Sequence, residues 1–136
     1  MEKVFIKGHL KSDADISAKH IENFLIELSH VCGMQIFFGP VVIAPDSYDA
    51  EAEKKLGLRP PNDVNAIIMW TYSGVQMYVF PTKDNWFTID VYSCKPFDLH
   101  KVIQFVTEYL SVLDDVQYAT QTASTFSSWT NFSTLA

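Results

Sequence analysis

Cysteine is scarce in this chain, Cys32 and Cys94 being the only two among 136 residues. No disulfide framework is indicated, and a reducing, cytosolic setting is the default expectation. Cationic residues are also few. Ten Lys and Arg against 16 Asp and Glu give a formal net charge of −6 and a pI near 5.0. Phosphate binding needs clustered cations, so this balance argues against a nucleic-acid partner. The four histidines, His9, His20, His30 and His100, form neither an HExxH nor a His-Cys spacing, and no metal site is expected. No apolar run approaches bilayer length, and the opening MEKVFIKGHL lacks a leader's apolar core and cleavage pattern. These absences predict a soluble, cytoplasmic protein with no nucleic-acid or membrane partner.

What is present suits one folded domain. The chain is 48% hydrophobic and 14% aromatic, enough for a sizeable core at this length. Lys3 to Leu10 alternates weakly and reads as an opening strand. From Ser17, the residues Ile21, Phe24, Leu25, Leu28, Val31 and Cys32 repeat at helical spacing, with Gly33 as a natural stop. Cys32 on that stripe is a core residue. Met34 to Phe38 and Val41 to Ala44 read as strand material broken by Gly39-Pro40. Asp46 to Lys55 suits a short surface helix whose Glu51, Glu53, Lys54 and Lys55 are solvated, and Leu56 to Asp63, with Pro60-Pro61, a loop. Val64 to Thr71 is continuously apolar and predicts a central strand.

A hairpin follows. Val75, Met77 and Val79 alternate with Gln76, Tyr78 and Phe80, and Lys83-Asp84-Asn85 supplies the turn. Phe87, Ile89 and Val91 then alternate with Trp86, Thr88, Asp90 and Tyr92. Asp98 caps a second helix with an apolar stripe of Val102, Ile103, Phe105, Val106, Tyr109, Leu110 and Leu113, and Val116 to about Thr122 makes a last strand. The order β-α-β-β, loop, β-β-β-α-β predicts an α+β class: a two-layer sandwich with two helices on one face of a largely antiparallel sheet. Residues 1–123 form the domain. The uncharged tail 124–136, with Phe126, Trp129 and Phe132, either frays or docks its aromatics on the domain or on a second subunit.

The stretch YSGVQMYVFPTKDNWFTIDVYSC, Tyr72 to Cys94, carries a family resemblance. Ser73, followed by Phe80-Pro81 and by Asp90-Val91-Tyr92-Ser93-Cys94, resembles the prokaryotic S-adenosylmethionine decarboxylases, small pyruvoyl enzymes of spermidine synthesis. The likeness covers roughly residues 2 to 113 and includes the element order. It implies that Ser73 is the precursor of a pyruvoyl cofactor if the chain is processed, and that Cys94 is the proton donor. It implies also a homodimer, since the family pairs its sheets. In the family such a ketone forms a Schiff base with the substrate's amine and accepts electrons as carbon dioxide leaves.

Several positions depart from the family pattern. Tyr72 replaces a glutamate, Gly74 a histidine, and Tyr78 the histidine that assists self-cleavage. Tyrosine, with a pKa near 10, is a poor base at neutral pH. Thr82 stands where a glutamate binds the ribose hydroxyls, and Asn65 where a serine assists processing. Phe37, Phe38, Trp70 and Phe80 either stack an adenine or pack in the core. The catalytic candidates are thus Ser73, Cys94 and Tyr78, and the substrate-binding candidates Phe38, Asn65, Phe80 and Thr82. Asp90 is either a solvated residue of the polar face or a pocket carboxylate near Trp86, Thr88 and Tyr92.

Three functions fit these residues. One is a degenerate, unprocessed homologue of the decarboxylases that binds a nucleoside or amino-acid ligand. Another is an active, self-processing pyruvoyl decarboxylase of S-adenosylmethionine or another amino acid. The third is an interaction protein that self-associates through its aromatic tail.

Overall fold

The computed structural model describes residues 2–47, 55, 62–122, 125–126 and 129–132. Strand β1 (Glu2–His9) leads to helix α1 (Ala18–Val31) and strand β2 (Ile36–Ile43). Strands β3 (Val64–Trp70), β4 (Ser73–Phe80) and β5 (Trp86–Ser93) form a meander, followed by α2 (Leu99–Tyr109) and β6 (Gln117–Thr122). Two short strands, β7 (Thr125–Phe126) and β8 (Thr130–Asn131), come from the tail. All pairings among described residues are antiparallel, in the order β2-β3-β4-β5-β1-β6-β7, with β8 also on β6.

Local chemistry sets the helix limits. The Ser17 hydroxyl accepts from the His20 amide at 3.3 Å, and Asp46 Oδ1 accepts from the Ala18 amide at 2.9 Å, so two orphan donors of α1 are satisfied. Gly33, at φ +65°, provides the left-handed residue that ends α1, a conformation costly for any side chain. Asp98 caps α2 through the Lys101 amide at 3.2 Å. The two helices cover one sheet face. Ile21, Phe24, Leu25 and Leu28 of α1 and Val102, Ile103 and Val106 of α2 meet Val75, Met77, Val79, Phe87, Ile89 and Val91, all of them buried. Phe24 stacks on Phe105 at 5.6 Å between ring centroids and joins α1 to α2.

The class is the expected α+β, two-layer arrangement, with three local differences. Residues 36–43 make one strand rather than two, with register shifts around Phe38 absorbing the cis Gly39-Pro40 pair. An edge strand tolerates a residue that lacks an N–H. Val64–Trp70 is not central: it lies next to the edge strand β2, and its apolar run arises because Ile67 and Met69 face away from the helices, Met69 being exposed. Leu113 lies beyond the last turn of α2 and is exposed rather than part of its stripe. The expected surface helix is described only as a 3-10 turn at Pro45–Ser47, because residues 48–54 lie outside the described residues, as do 56–61 of the expected loop.

The C-terminal end of β1 is fastened to the connection after α2. His9 Nδ1 lies 2.5 Å from Asp115 Oδ2, while its amide donates to Asp115 Oδ1 at 3.0 Å. The tail returns to the sheet, where Gln121 pairs with Phe126 and Tyr118 with Thr130. Phe132 packs against the core, its amide donating to Val116 O at 2.9 Å.

Candidate functional site

Ser73 opens β4 after the Thr71-Tyr72 turn. Tyr72 is exposed and left-handed at φ 66°, a conformation that costs a non-glycine residue about 1 kcal/mol. Backbone strain is therefore located at the residue preceding the serine. In register with Trp70, Ser73 points to the helix side. Its Oγ accepts from the Cys94 amide at 2.9 Å, and Cys94 Sγ lies 3.9 Å from Thr71 O. Lys95 Nζ donates to Gly33 O at 3.0 Å and ties this corner to the end of α1. The Ser93 hydroxyl donates to Lys95 O in a short bond. Ser73 and Cys94 are thus neighbours because β4 pairs with β5 from Phe80–Trp86 up to Gly74–Tyr92, one residue short of the serine. Among the described residues, no carboxylate, imidazole or amine hydrogen-bonds either group.

The two thiols differ in access. Burial pushes the Cys32 thiol up to about 12, whereas Cys94 is exposed. At pH 8 a thiol of that pKa is only ~0.01% thiolate. Iodoacetamide is expected to label the native protein once, at Cys94, with the second label appearing only in denaturant. Intact mass reads both, and native labelling of Cys32 would contradict the packing of α1.

The remaining candidates lie elsewhere. Tyr78 is five residues further along β4, hence on the other face and about 17 Å away along the strand. Its hydroxyl bonds Gln76 Nε2 at 2.6 Å, and its ring stacks on Phe80 at 5.9 Å, which in turn stacks on Trp86 at 5.4 Å. Asn65 is in register with Tyr78 and exposed. Thr82 sits in the turn after β4, at the end remote from Ser73. Phe38 is exposed on β2 opposite Met69. The structure brings Ser73 and Cys94 together, and Tyr78 together with Asn65 and Phe80, but does not join these two groups. The period of two along a strand is the reason: positions separated by an odd number face opposite ways.

The face turned away from the helices carries a cavity of about 460 Å³ with aromatic walls from Phe5, Tyr78, Trp86 and Trp129 and polar walls from Lys7 and Asp90. Lys7 Nζ sits 3.9 Å from the Trp129 ring centroid and Lys3 Nζ 4.5 Å from that of Phe5. Asp90 Oδ2 lies 3.4 Å from Lys3 Nζ, while Asp90 Oδ1 is buried with no hydrogen-bond partner among the described residues. Asp90 is thus a half-buried pocket carboxylate beside Trp86 and Thr88 rather than a solvated one. The sequence does carry a signal for part of this cavity. Lys3, Phe5 and Lys7 alternate with the buried Val4 and Ile6, a polar and aromatic stripe on one strand face. Trp129 is one of the tail aromatics expected either to fray or to dock, and it docks here against Lys7.

Burial raises the Asp90 pKa above its ordinary value, and Lys3 partly opposes the shift. Because the folded value is the higher one, the stabilisation from its protonated form is complete below about pH 3.8 and is lost as pH rises through the folded pKa. An NMR titration of the Asp90 side-chain carbon is expected to give a midpoint above the usual carboxylate range. Lys3→Met should move it higher, and an unshifted midpoint in both proteins would contradict the burial.

The fold and its geometry define a two-layer α+β protein. No family model and no curated protein matches the sequence. Among solved structures, the chain is similar to the crystal structure of the adenosylmethionine decarboxylase from Aquifex aeolicus VF5, at a TM-score of 0.63 and 10% identity. The likeness covers 96% of this chain and 95% of that one. At this identity it shows an adenosylmethionine decarboxylase-like fold.

Proposed function

We propose that the chain is a degenerate, unprocessed homologue of the S-adenosylmethionine decarboxylases of spermidine synthesis. One observation carries this reading: Ser73 Oγ is engaged by the Cys94 amide, with no basic side chain bonded to it among the described residues. Self-processing requires that hydroxyl to attack the Tyr72 carbonyl carbon, and a base to take its proton. Tyr78, the residue at the helper position, is on the opposite face. The residues therefore do not fit formation of a pyruvoyl group. A scaffold of this kind serves as a binding or regulatory subunit for a nucleoside or an amino acid in the cytoplasm. Among the described residues, no helix is long and apolar enough to cross a membrane.

The opposite reading, an active decarboxylase, is favoured by the closeness of Ser73 to Cys94. Intact mass decides between them. A single full-length species is expected. Two fragments split between Tyr72 and Ser73, the second with a blocked N-terminus, would overturn the proposal. Saturable heat on titration with S-adenosylmethionine would support a retained nucleoside site.

Homodimerisation is part of the proposal. Phe37, Phe38, Val41, Ile43 and Met69 are exposed apolar residues on β2 and β3, a strip that a second copy would cover. Sedimentation of wild type and of Phe38→Asp with Met69→Lys is the check: a dimer converting to monomer is expected. Loss of the dimer only on deletion of 124–136 would favour self-association through the tail.

A further inference from the structure

A second cavity, of about 1090 Å³, opens at the C-terminal end of β1 around His9. It contains neither Ser73 nor Cys94 and owes nothing to the decarboxylase reading. Its size is at the upper limit of small-ligand sites, typically about 300–1,000 Å³, and admits a compound of two or more rings. Trp86, Val112, Leu113, Val116 and Phe132 give it apolar walls that favour a flat, apolar body. His9 is the group on which such a body can orient.

Asp115 grips His9 at two points. Its Oδ1 accepts from the His9 amide at 3.0 Å and its Oδ2 lies 2.5 Å from Nδ1, while the Leu113 amide donates to His9 O at 2.8 Å. The ring is thereby fixed in place and in tautomer. A carboxylate only accepts, so the neutral imidazole carries its proton on Nδ1 and presents the lone pair of Nε2. The His9 side chain lines the cavity and is 35% exposed, and with Nδ1 on the carboxylate its Nε2 is left to a ligand, having no partner among the described residues. The other polar side chains around it are engaged or charged. Gln117 Nε2 donates to Asn131 Oδ1 at 2.7 Å, the Thr107 hydroxyl donates to Gln104 O at 2.9 Å, and Lys7 rests on Trp129. Asp114 and Asp115 repel an anionic ligand, and Lys7 a cationic one. A neutral hydroxyl satisfies Nε2 without adding charge of either sign.

We propose that this cavity binds an uncharged hydroxylated aromatic compound, its rings against the apolar walls beside Trp86 and its phenolic hydroxyl donated to His9 Nε2. A phenol donates more strongly than an alcohol because its proton is more acidic, with a pKa of about 10. Asp115 is a positioning residue, acting through His9 by setting which ring nitrogen accepts. Asp115→Asn reverses that setting. The His9 amide needs an oxygen at the Oδ1 position, so the new amide NH₂ faces Nδ1, which then accepts and leaves the ring proton on Nε2.

The probes β-naphthol and its methyl ether test the proposal, being alike in shape and differing in the hydroxyl proton. Proton–nitrogen NMR titrations of the full chain follow the Trp86 indole N–H and the Gly8, Leu113 and Gln117 amides, and a long-range experiment reads the two ring nitrogens of His9. Wild type is expected to show a protonated Nδ1, an unprotonated Nε2 and saturable shifts at the cavity resonances, with β-naphthol binding about five- to tenfold tighter than its ether, the difference that one hydrogen bond supplies. In Asp115→Asn the two ring-nitrogen signals should exchange type, and β-naphthol should fall to the affinity of the ether or below it. His9→Leu should make the probes equal while both still bind. If neither variant folds, the wild-type affinity ratio and ring-nitrogen pattern carry the test. Equal affinities in wild type, a proton on Nε2 in wild type, a preference for β-naphthol kept in Asp115→Asn, shifts confined to other surfaces, or no saturable shift would overturn it.

Discussion

Trp70→Ala is expected to cost about 3–5 kcal/mol, the usual range for removing a fully buried large aromatic. For a domain of this size that lowers the melting temperature by about 10–20 °C. The indole is 2% exposed at the end of β3, and its Nε1 donates to Ser29 Oγ at 2.7 Å. Ser29 in turn donates to Leu25 O at 2.7 Å, so one hydrogen-bonded chain joins sheet to helix inside the core. Ser29→Ala leaves the indole N–H unsatisfied and should cost about 1–3 kcal/mol. In the double variant with Trp70→Phe the loss should be less than the sum of the two, because the polar pair is removed together. Urea unfolding of the four proteins measures this, and additive losses would show that the bond is not coupled. A Trp70→Ala penalty below 1 kcal/mol would contradict the packing of α1 on β3.

Gly74→His, which places the family-type residue after Ser73, is expected to destabilise the protein by about 1–3 kcal/mol through overpacking. A Cβ at position 74 would stand 2.8 Å from the Ile68 carbonyl oxygen, a backbone atom that cannot rotate away. Gly74→Ala should therefore lose nearly as much, since the first added carbon makes the clash. Denaturation curves for both variants give the comparison, and a neutral Gly74→Ala would refute the close approach of β3 and β4. This departure from the family pattern is linked to the strand geometry itself. Returning the histidine alone would disturb the corner that holds Ser73.

The sequence was most legible where one face of an element is buried and the other is not. The stripe from Ile21 to Cys32, the alternation from Val75 to Val79 and the caps at Ser17 and Asp98 each carry their own signal, and the structure follows them. Legibility failed where an element's place depends on distant partners. Val64 to Trp70 reads as central because it is apolar throughout, yet its outward residues contribute to an exposed strip. Gly39-Pro40 reads as a break, yet β2 accommodates it at the sheet edge. For the site, the register of β4 on β5 makes Ser73 and Cys94 neighbours, and the resemblance had paired them. The parity of Tyr78 relative to Ser73 was visible in the numbering, but a motif match does not weigh which face a residue occupies. The orphaned oxygen of Asp90 depends on tertiary contacts and leaves no trace in local pattern, whereas the uncharged aromatic tail left open whether Trp129 docks and gave no hint of where.

The tail strands have a consequence beyond the cavity. An open sheet offers two flanks on which a foreign strand can template itself, and both are guarded here. On one flank β7 and β8 occupy the two ends of β6, so an incoming chain finds no long uninterrupted row of amides and carbonyls. On the other flank, β2 carries Pro40, which has no N–H to offer, amid a shifted register. The chain thus exposes apolar side chains on a face, where a discrete partner can stop growth, and withholds its backbone at the flanks, where growth would propagate into fibrils.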